Sequence, residues 1–205
     1  MTVRKRKSTT LAVIVATLTV ACVTNLLADG AGRKRSTSAQ NPPAAASPGA
    51  PAANPADVAS IDAILHAAYD TISGPAGRQR DWNRFRSLFV PGARLIPVVA
   101  DPKGGFHTVV LSADDYVKHG DPYFQKNGFF EQEVARRTEH FGSMAEVFST
   151  YESRHNAADP KPFERGINSF QLMNDGHRWW IVTIFWQGET ADNPIPKKYL
   201  QGDRE

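Results

Sequence analysis

The apolar residues of this chain are densest between Gly166 and Gln187, where two hydrophobic runs flank the sequence Asn-Asp-Gly at residues 174–176. An Asp-Gly pair tolerates the positive φ angles of a tight turn, and β-branched and aromatic residues suit strands, so this pattern predicts a β-hairpin. The second run, Trp179 to Trp186, places bulky residues at both alternating sets of positions. A strand with one face in water alternates with polar residues, so we expect both faces of this strand to be covered.

Helical spacing predicts the first element of the domain. Apolar residues recur every three or four positions from Val58 to Ile72, which indicates a helix over residues 55–73 with Asn54 as its N-cap. Ser112 and Asp115 have the spacing of a capping box and open a later helix. The other predicted elements are a helix over residues 80–90 and strands over residues 93–100, 106–111, 129–140 and 144–154. The order ααββαββββ, with the hairpin as its last two strands, predicts an α+β fold with a mostly antiparallel sheet.

The strand predicted over residues 129–140 has two alternating sets of side chains. Glu131 and Glu133 belong to one set, which is rich in charges and is expected to face solvent. Arg136 and His140 belong to the other, which we expect to face inward. The inward set is unusually polar for a strand that packs on a core.

The N-terminal residues have the pattern of an export signal. A basic segment, Arg4 to Lys7, precedes the apolar stretch Leu11 to Val23, so residues 1–28 are predicted to be a cleaved signal peptide that leaves no membrane segment. The protein is then periplasmic or secreted. Two alternatives stay open: a lipid anchor on Cys22, which follows a sequence similar to a lipobox, and a retained N-terminal membrane anchor. Residues 29–56 are rich in Pro and Ala and are predicted to be a disordered linker, which leaves residues 57–205 as the folded domain.

Composition restricts the chemistry of that domain. The chain has 205 residues, of which 41% are hydrophobic, and this is enough for one well-buried core. Its single cysteine lies in the signal segment, so the domain has no disulfide and no thiol nucleophile. Residues 1–56 hold seven of the 24 basic residues and one of the 21 acidic residues, so the folded part is slightly acidic. No concentrated cationic surface for nucleic acid is expected.

The element order and several local motifs resemble the nuclear transport factor 2-like superfamily, which includes SnoaL-like (polyketide-cyclase-like) proteins and ketosteroid isomerases. The motifs are Phe85 to Phe89, Val147 to Glu152, and Ser169 to Leu172 paired with Arg178 to Val182. The resemblance covers roughly residues 57–187. It implies a cone of curved sheet wrapped on helices, with a cystatin-like fold, an apolar pocket at the mouth of the cone, and a homodimer formed through the outer sheet face.

A second arrangement for that outer face stays open. The tail after Glu189 is expected to dock on the domain through Ile195, Tyr199 and Leu200, and a docked tail would cover the face in a monomer.

The resemblance to ketosteroid isomerases also implies positions for catalytic groups. The tyrosine of the oxyanion site matches Tyr69, and the late-strand acid position falls at Asn168. The base position falls at Ile96, before Pro97, and isoleucine cannot move a proton. A site with donors and no base binds a carbonyl or enolate without isomerising it, which argues against the isomerase reaction.

His140 is a weak candidate for an alternative base, since a histidine titrates near neutral pH. No two histidines have the spacing of a zinc site, there is no glycine-rich phosphate loop, and no metal or other cofactor is predicted. Aromatic and polar residues that are expected to line the apolar pocket are spread over the whole domain. They are Tyr69, Trp82, Phe85, Tyr116, Tyr151, Asn168, Phe170 and Trp186.

Three functions follow from these observations. The leading one is binding of a small, largely apolar molecule, with Tyr69, Tyr151 and Asn168 supplying hydrogen bonds. The second is an isomerase, cyclase or dehydratase that uses His140 as its base. The third is a non-catalytic dimerisation or interaction module whose cone is filled by side chains. The sequence leans away from an enzyme, because the base position of the isomerases is Ile96.

Overall fold

A computed structural model of the chain describes residues 50–202. The predicted signal peptide, residues 1–28, and residues 29–49 of the predicted linker lie outside them. The elements follow one another in the predicted order of two helices, two strands, a helix and four strands, with two additional short 3-10 turns. The α+β fold class is therefore confirmed.

Three helices make up the helical part of the described residues: α1 (Ile61–Ile72), α2 (Trp82–Ser87) and α3 (Ala113–Lys126). The predicted start of the first helix is wrong. Asn54 caps a separate 3-10 turn, Pro55–Asp57, and α1 begins later because Ser60 adopts an extended backbone and accepts a hydrogen bond from the Ala63 N–H. The capping box of Ser112 and Asp115 is confirmed at the start of α3.

Six strands form one open mixed sheet. They are β1 (Phe89–Ala100), β2 (Phe106–Thr108), β3 (Phe130–Phe141), β4 (Met144–Arg154), β5 (Glu164–Asn174) and β6 (Trp179–Gly188). Their order is β2-β1-β6-β5-β4-β3, in which β1 and β6 are parallel and all other neighbours are antiparallel. The predicted hairpin is confirmed as β5 and β6. The Asp175 carboxylate holds its turn by accepting hydrogen bonds from the His177 and Arg178 N–H groups.

A β-bulge in β3 changes which of its side chains face the helices. Glu133 pairs with Tyr151 of β4, but the next paired residue is Ala135, opposite Thr150, so Val134 is the extra residue. Since one inserted residue inverts the alternation, Glu131 and Glu133 share the concave face with Tyr151. The expectation that both glutamates face solvent is wrong.

The hydrophobic core lies between the concave face of the sheet and the helices. α1 contributes one side of it, and the inward residues of β4, β5 and β6 contribute the other. The most enclosed large side chains are Ile64, Leu65, Leu88, Leu95, Val147, Phe170, Leu172 and Ile181. β6 lies between β1 and β5, and its Ile181 and Ile184 are buried in the core. The prediction that both faces of this strand are covered holds only in part, because Phe185 on the convex face is 44% exposed.

The convex face of the sheet is partly covered by the C-terminal tail. The Thr150 hydroxyl donates to the Tyr199 carbonyl at 2.6 Å, and the ring of Tyr199 lies 5.3 Å from that of Phe148. Ile195 and Tyr199 are half-buried, as predicted, whereas Leu200 is 41% exposed and does not dock. A recess of about 190 Å³ lies between the tail and the sheet, bordered by Ile195 among others. The tail thus occupies part of the face that was expected to mediate dimerisation.

Within residues 50–202, none of the helices combines the length and the apolar character that crossing a membrane requires.

Candidate functional site

A cluster of polar side chains lies on the concave face, under α1. Tyr69 projects from α1, Ser149 from β4 and Asn168 from β5. The Tyr69 hydroxyl lies 2.7 Å from Ser149 Oγ and 3.1 Å from Asn168 Nδ2. All three residues are buried, and Ser149 and Asn168 are neighbours in the register of β4 and β5. The structure therefore brings together Tyr69 and Asn168, which are far apart in sequence.

Glu131, the second residue of β3, completes this cluster. Its Oε2 accepts a hydrogen bond from Ser153 at 2.8 Å, and its Oε1 accepts one from Asn168 Nδ2 at 3.3 Å. Its backbone N–H donates to Ser73 Oγ at 3.0 Å, which ties the strand to the C-terminal end of α1. Burial of the carboxylate and the nearby charge of Glu164 raise its pKa to about 7, against the lowering effect of the hydrogen bonds from Ser153 and Asn168. Glu131 therefore exchanges a proton near neutral pH.

The hydrogen bonds of the cluster run in one direction. The Glu133 carboxylate accepts the Ser149 hydroxyl proton, so Ser149 Oγ must accept from the Tyr69 hydroxyl. The Tyr69 oxygen in turn accepts from Asn168 Nδ2. At the Glu133 end of this hydrogen-bonded chain, Arg136 Nε donates to Glu133 Oε1 at 2.7 Å. The donor groups of Tyr69 and Asn168 are thus used inside the protein, and their predicted contact with a ligand stays a prediction.

Two polar atoms beside the cluster have no hydrogen-bond partner among the described residues. In the described residues, every fully buried polar side-chain atom has a hydrogen-bond partner. The amide oxygen of Asn168 and the hydroxyl of Tyr116 make no hydrogen bond there, so they border space that water can enter. Tyr116 and Asn168 are both neighbours of Trp186, because the Tyr116 ring lies 6.4 Å from the Trp186 ring and Trp186 is the partner of Asn168 across β5 and β6. The charge of Glu131 also reaches Tyr116, and with burial it raises the pKa of that phenol.

Most of the eight predicted ligand residues pack on one another. Phe85 stacks on Tyr116 at 5.3 Å and meets Trp82 edge to face at 5.7 Å, while Tyr69 and Phe170 lie 6.1 Å apart. Such aromatic contacts stabilise a core. Apart from the recess under the tail, a second one of about 230 Å³ lies beside Pro91 and Gly92, and of the eight residues only Trp186 borders either recess.

Tyr151 is the remaining predicted hydrogen-bonding residue. Its hydroxyl donates to Glu164 Oε1 at 2.7 Å, and burial together with the charge of Glu164 raises the pKa of this phenol. Gly166 makes room for the ring, since a Cβ there would lie 2.6 Å from the Tyr151 hydroxyl. Tyr151 is therefore engaged with a glutamate at the same end of the sheet as Glu131.

The candidate bases from the sequence lie away from this cluster. His140 is exposed at the other end of β3, where its ring is 5.8 Å from that of Trp179. Nine positions separate it from Glu131, roughly 30 Å of extended strand. Ile96 pairs with Phe185 on the convex face, so it does not face the cluster at all. Glu131, a buried carboxyl with a raised pKa, is the residue of the cluster that sequence reasoning missed.

A signal for Glu131 was present in the sequence. Glu131 and Glu133 are two residues apart, and the next strand carries Ser149, Tyr151 and Ser153 at the same period. Hydroxyl groups on one face of a strand are suitable partners for acids on its neighbour. Such a match would have favoured an inward placement of both glutamates.

Replacing Ser153 with alanine is expected to raise the pKa of Glu131 further above its value of about 7, because the hydrogen bond from Ser153 stabilises the ionised form. Carbon-detected NMR titration of the glutamate side chains measures this change. Ser169→Ala is the matched control, since Ser169 lies on the opposite face of β5 and contacts Glu146 instead. An unchanged pKa in Ser153→Ala would contradict the assigned contact.

Comparisons with known proteins concern the fold. No protein-family model matches the chain, and no curated protein sequence matches it. Among solved structures, a protein of unknown function with a cystatin-like fold from Nostoc punctiforme aligns with a TM-score of 0.49 and 8% identity, over 64% of this chain and 90% of that chain. A proposed dehydratase of the NTF2-like family from Streptomyces avermitilis aligns with a TM-score of 0.48 and 12% identity, over 66% and 97%.

The chain is an α+β protein with three helices against an open mixed sheet of six strands, and the solved structures it resembles are described as cystatin-like and NTF2-like. Identities of 8% and 12% concern the fold alone, so the chemistry has to come from the residues of this chain. Within residues 50–202, no group of three or more His, Cys, Asp or Glu side chains is arranged to hold a metal ion.

Proposed function

We propose that the concave face of the sheet is a small-molecule site at which Glu131 transfers a proton to or from the bound molecule. The observation that carries this proposal is the position of the Glu131 carboxyl, which is held by Ser153 and Asn168 beside the open atoms of Asn168 and Tyr116. A carboxyl with a pKa of about 7 has both protonation states populated at neutral pH, which suits general acid–base catalysis.

The neighbouring side chains define the kind of molecule. Tyr116, Trp186 and Phe85 supply aromatic surface on one side of the site, and Glu131 and Asn168 supply polar atoms on the other. A small, largely apolar molecule with one polar end matches this arrangement. The ligand-binding and the isomerase-like functions expected from the sequence thus meet in one site, with Glu131 in the role that was assigned to His140.

Proton transfer can be tested without knowing the natural substrate. The probe is α-hydroxyacetophenone, which has an aromatic ring, a hydroxyl group and methylene hydrogens made acidic by the carbonyl. The full-length protein in deuterated buffer is expected to accelerate exchange of these hydrogens, which proton NMR records as loss of the methylene signal. Glu131→Gln should reduce the protein-dependent rate by about a hundredfold or more, since general-base catalysis contributes factors of this size.

Glu139→Gln is the matched control, because it makes the same chemical change on an exposed residue of β3. It should keep the wild-type exchange rate. Exchange no faster than in buffer alone, or equal rates for wild type and Glu131→Gln, would refute the proposed role of Glu131.

A further inference from the structure

We infer that the ion pair between Glu133 and Arg136 determines which hydrogen-bonding group a ligand must offer, because it fixes the direction of the chain from Ser149 to Asn168. This inference rests on the proposed function, since it concerns the ligand of that same site. It assigns Glu133 and Arg136 as positioning residues, which act through other side chains.

The direction begins at the ion pair. Glu133 has a side chain that is only 17% exposed, and its Oε1 is occupied by Arg136 Nε at 2.7 Å. Arg136 also donates to Asp62 Oδ1 at 2.6 Å, so its guanidinium is held between two carboxylates. A carboxylate has only acceptor oxygens, and the oxygen that remains on Glu133 therefore requires a donor. Ser149 meets that requirement with its hydroxyl proton.

Each later step follows from the one before. Ser149 has a single proton, so after giving it to Glu133 it can only accept from Tyr69. Tyr69 then accepts from Asn168 Nδ2, whose second hydrogen points to Glu131 Oε1 at 3.3 Å. Both hydrogens of the amide are used. The oxygen of Asn168 is the part of the amide that has no partner within the protein.

The site therefore presents acceptors to a ligand. The Asn168 oxygen has no partner and requires a donor, such as a hydroxyl or an N–H group, and the ionised Glu131 carboxylate can accept a further hydrogen bond. Tyr116 can donate or accept, so the discrimination rests on Asn168 and Glu131. A molecule with an alcohol or phenol group is preferred over an isomer that offers only an ether or carbonyl oxygen. Leaving a buried acceptor unpaired is costly, and the expected preference is roughly tenfold or more.

Glu133→Gln should reverse the direction of the hydrogen bonds that run between Ser149, Tyr69 and Asn168. The glutamine oxygen is required by Arg136, so its amide nitrogen faces Ser149 and donates to it. Ser149 then donates to Tyr69, and Tyr69 needs an acceptor, which the Asn168 oxygen supplies if the amide turns over. The turned amide places its oxygen against Glu131, which can donate to it when protonated. The open space then faces N–H donors, and the pKa of Glu131 rises.

The test uses two isomeric probes, p-ethylphenol and p-methylanisole, which differ in whether the oxygen carries a proton. Dissociation constants of both are measured by NMR titration of the full-length wild type, Glu133→Gln and the control Glu139→Gln. Wild type and control are expected to prefer the phenol by roughly tenfold, and Glu133→Gln is expected to lose or reverse that preference. The pKa of Glu131, followed in the same samples, should rise in Glu133→Gln only.

Ser149→Ala provides a second variant if Glu133→Gln does not fold, since it breaks the chain at the same point and frees the Tyr69 proton for the Asn168 oxygen. A folded Glu133→Gln or Ser149→Ala with the wild-type preference and the wild-type pKa of Glu131 would overturn the inference while binding itself stands. If neither probe binds the wild type, the proposed function and this inference both fail. Equal affinity of the wild type for the two isomers overturns the inference alone.

Discussion

Glu131→Gln is expected to make the protein more stable at alkaline pH and at the same time to slow the proposed proton transfer by about a hundredfold or more. The pKa of Glu131 is about 7 in the folded protein, against 4.5 for the free side chain, so ionisation opposes folding. Below pH 4.5 the carboxyl is protonated in both states and has no such cost. As the pH rises from 4.5 to 7, the unfolded chain loses the proton and the folded protein keeps it, so the free energy of unfolding falls.

The size of this effect follows from the shift of the pKa. The contribution of Glu131 to the free energy of unfolding declines by up to about 3 kcal/mol between these limits and is constant at higher pH. Glutamine does not ionise, so Glu131→Gln removes this decline. Urea unfolding of both proteins across the pH range measures the difference. The difference in the free energy of unfolding between the two proteins should be near zero in acid, and above pH 7 the variant should be the more stable one.

Glu139→Gln controls for the removal of one negative charge and should follow the wild-type curve. A wild type and a Glu131→Gln variant with parallel pH dependences would show that Glu131 has an ordinary pKa. Gained stability with lost activity is the behaviour expected of a residue kept for its chemistry.

Replacing Arg80 with methionine is expected to lower the free energy of unfolding by about 3 kcal/mol or more, because it leaves two buried and two part-buried carbonyl groups without their donor. Arg80 is only 4% exposed. Its guanidinium donates to the carbonyls of Ile72 at 2.9 Å, Gly74 at 2.7 Å, Pro75 at 3.1 Å and Arg78 at 2.7 Å. These bonds hold the chain where α1 ends, directly beside Ser73, which contacts Glu131.

Urea unfolding tests this prediction, with Arg78→Met as the control because Arg78 is exposed in the same loop. Arg80→Lys is expected to recover only part of the loss, since an ammonium group does not reproduce the planar, forked donors of arginine. If Arg80→Met is as stable as Arg78→Met, the four bonds contribute nothing to stability. The Arg80→Met protein should also show an altered pKa of Glu131, because the position of Ser73 depends on this loop.

The elements of the fold were largely predictable, because their signals are local. The Asn-Asp-Gly turn of the hairpin, the capping box of Ser112 and Asp115, and the apolar period of α1 each act within a few residues. The first helix was misplaced because two capping residues, Asn54 and Ser60, lie close together and only the second opens α1.

The site was predicted in part. Tyr69 and Asn168 were identified through a resemblance, and the structure brings them within 3.1 Å of each other. Their use as donors within the protein was not predicted, because the direction of a hydrogen bond depends on partners that lie far away in sequence. Glu131 was missed because one extra residue at Val134 inverts the alternation of β3, and no local signal marks that residue as a bulge.

The sequence by itself determined the α+β class, the order of the elements and the terminal hairpin, because turn chemistry and hydrophobic period act over short distances. Only the tertiary structure decided which side chains of β3 face inward, which protons are free in the polar cluster and where the pKa of Glu131 lies. These properties arise from the register with β4, from contacts between β3, β5 and α1, and from the removal of water around one carboxylate. They depend on which residues meet in space, and the spacing of residues along the chain does not contain that information.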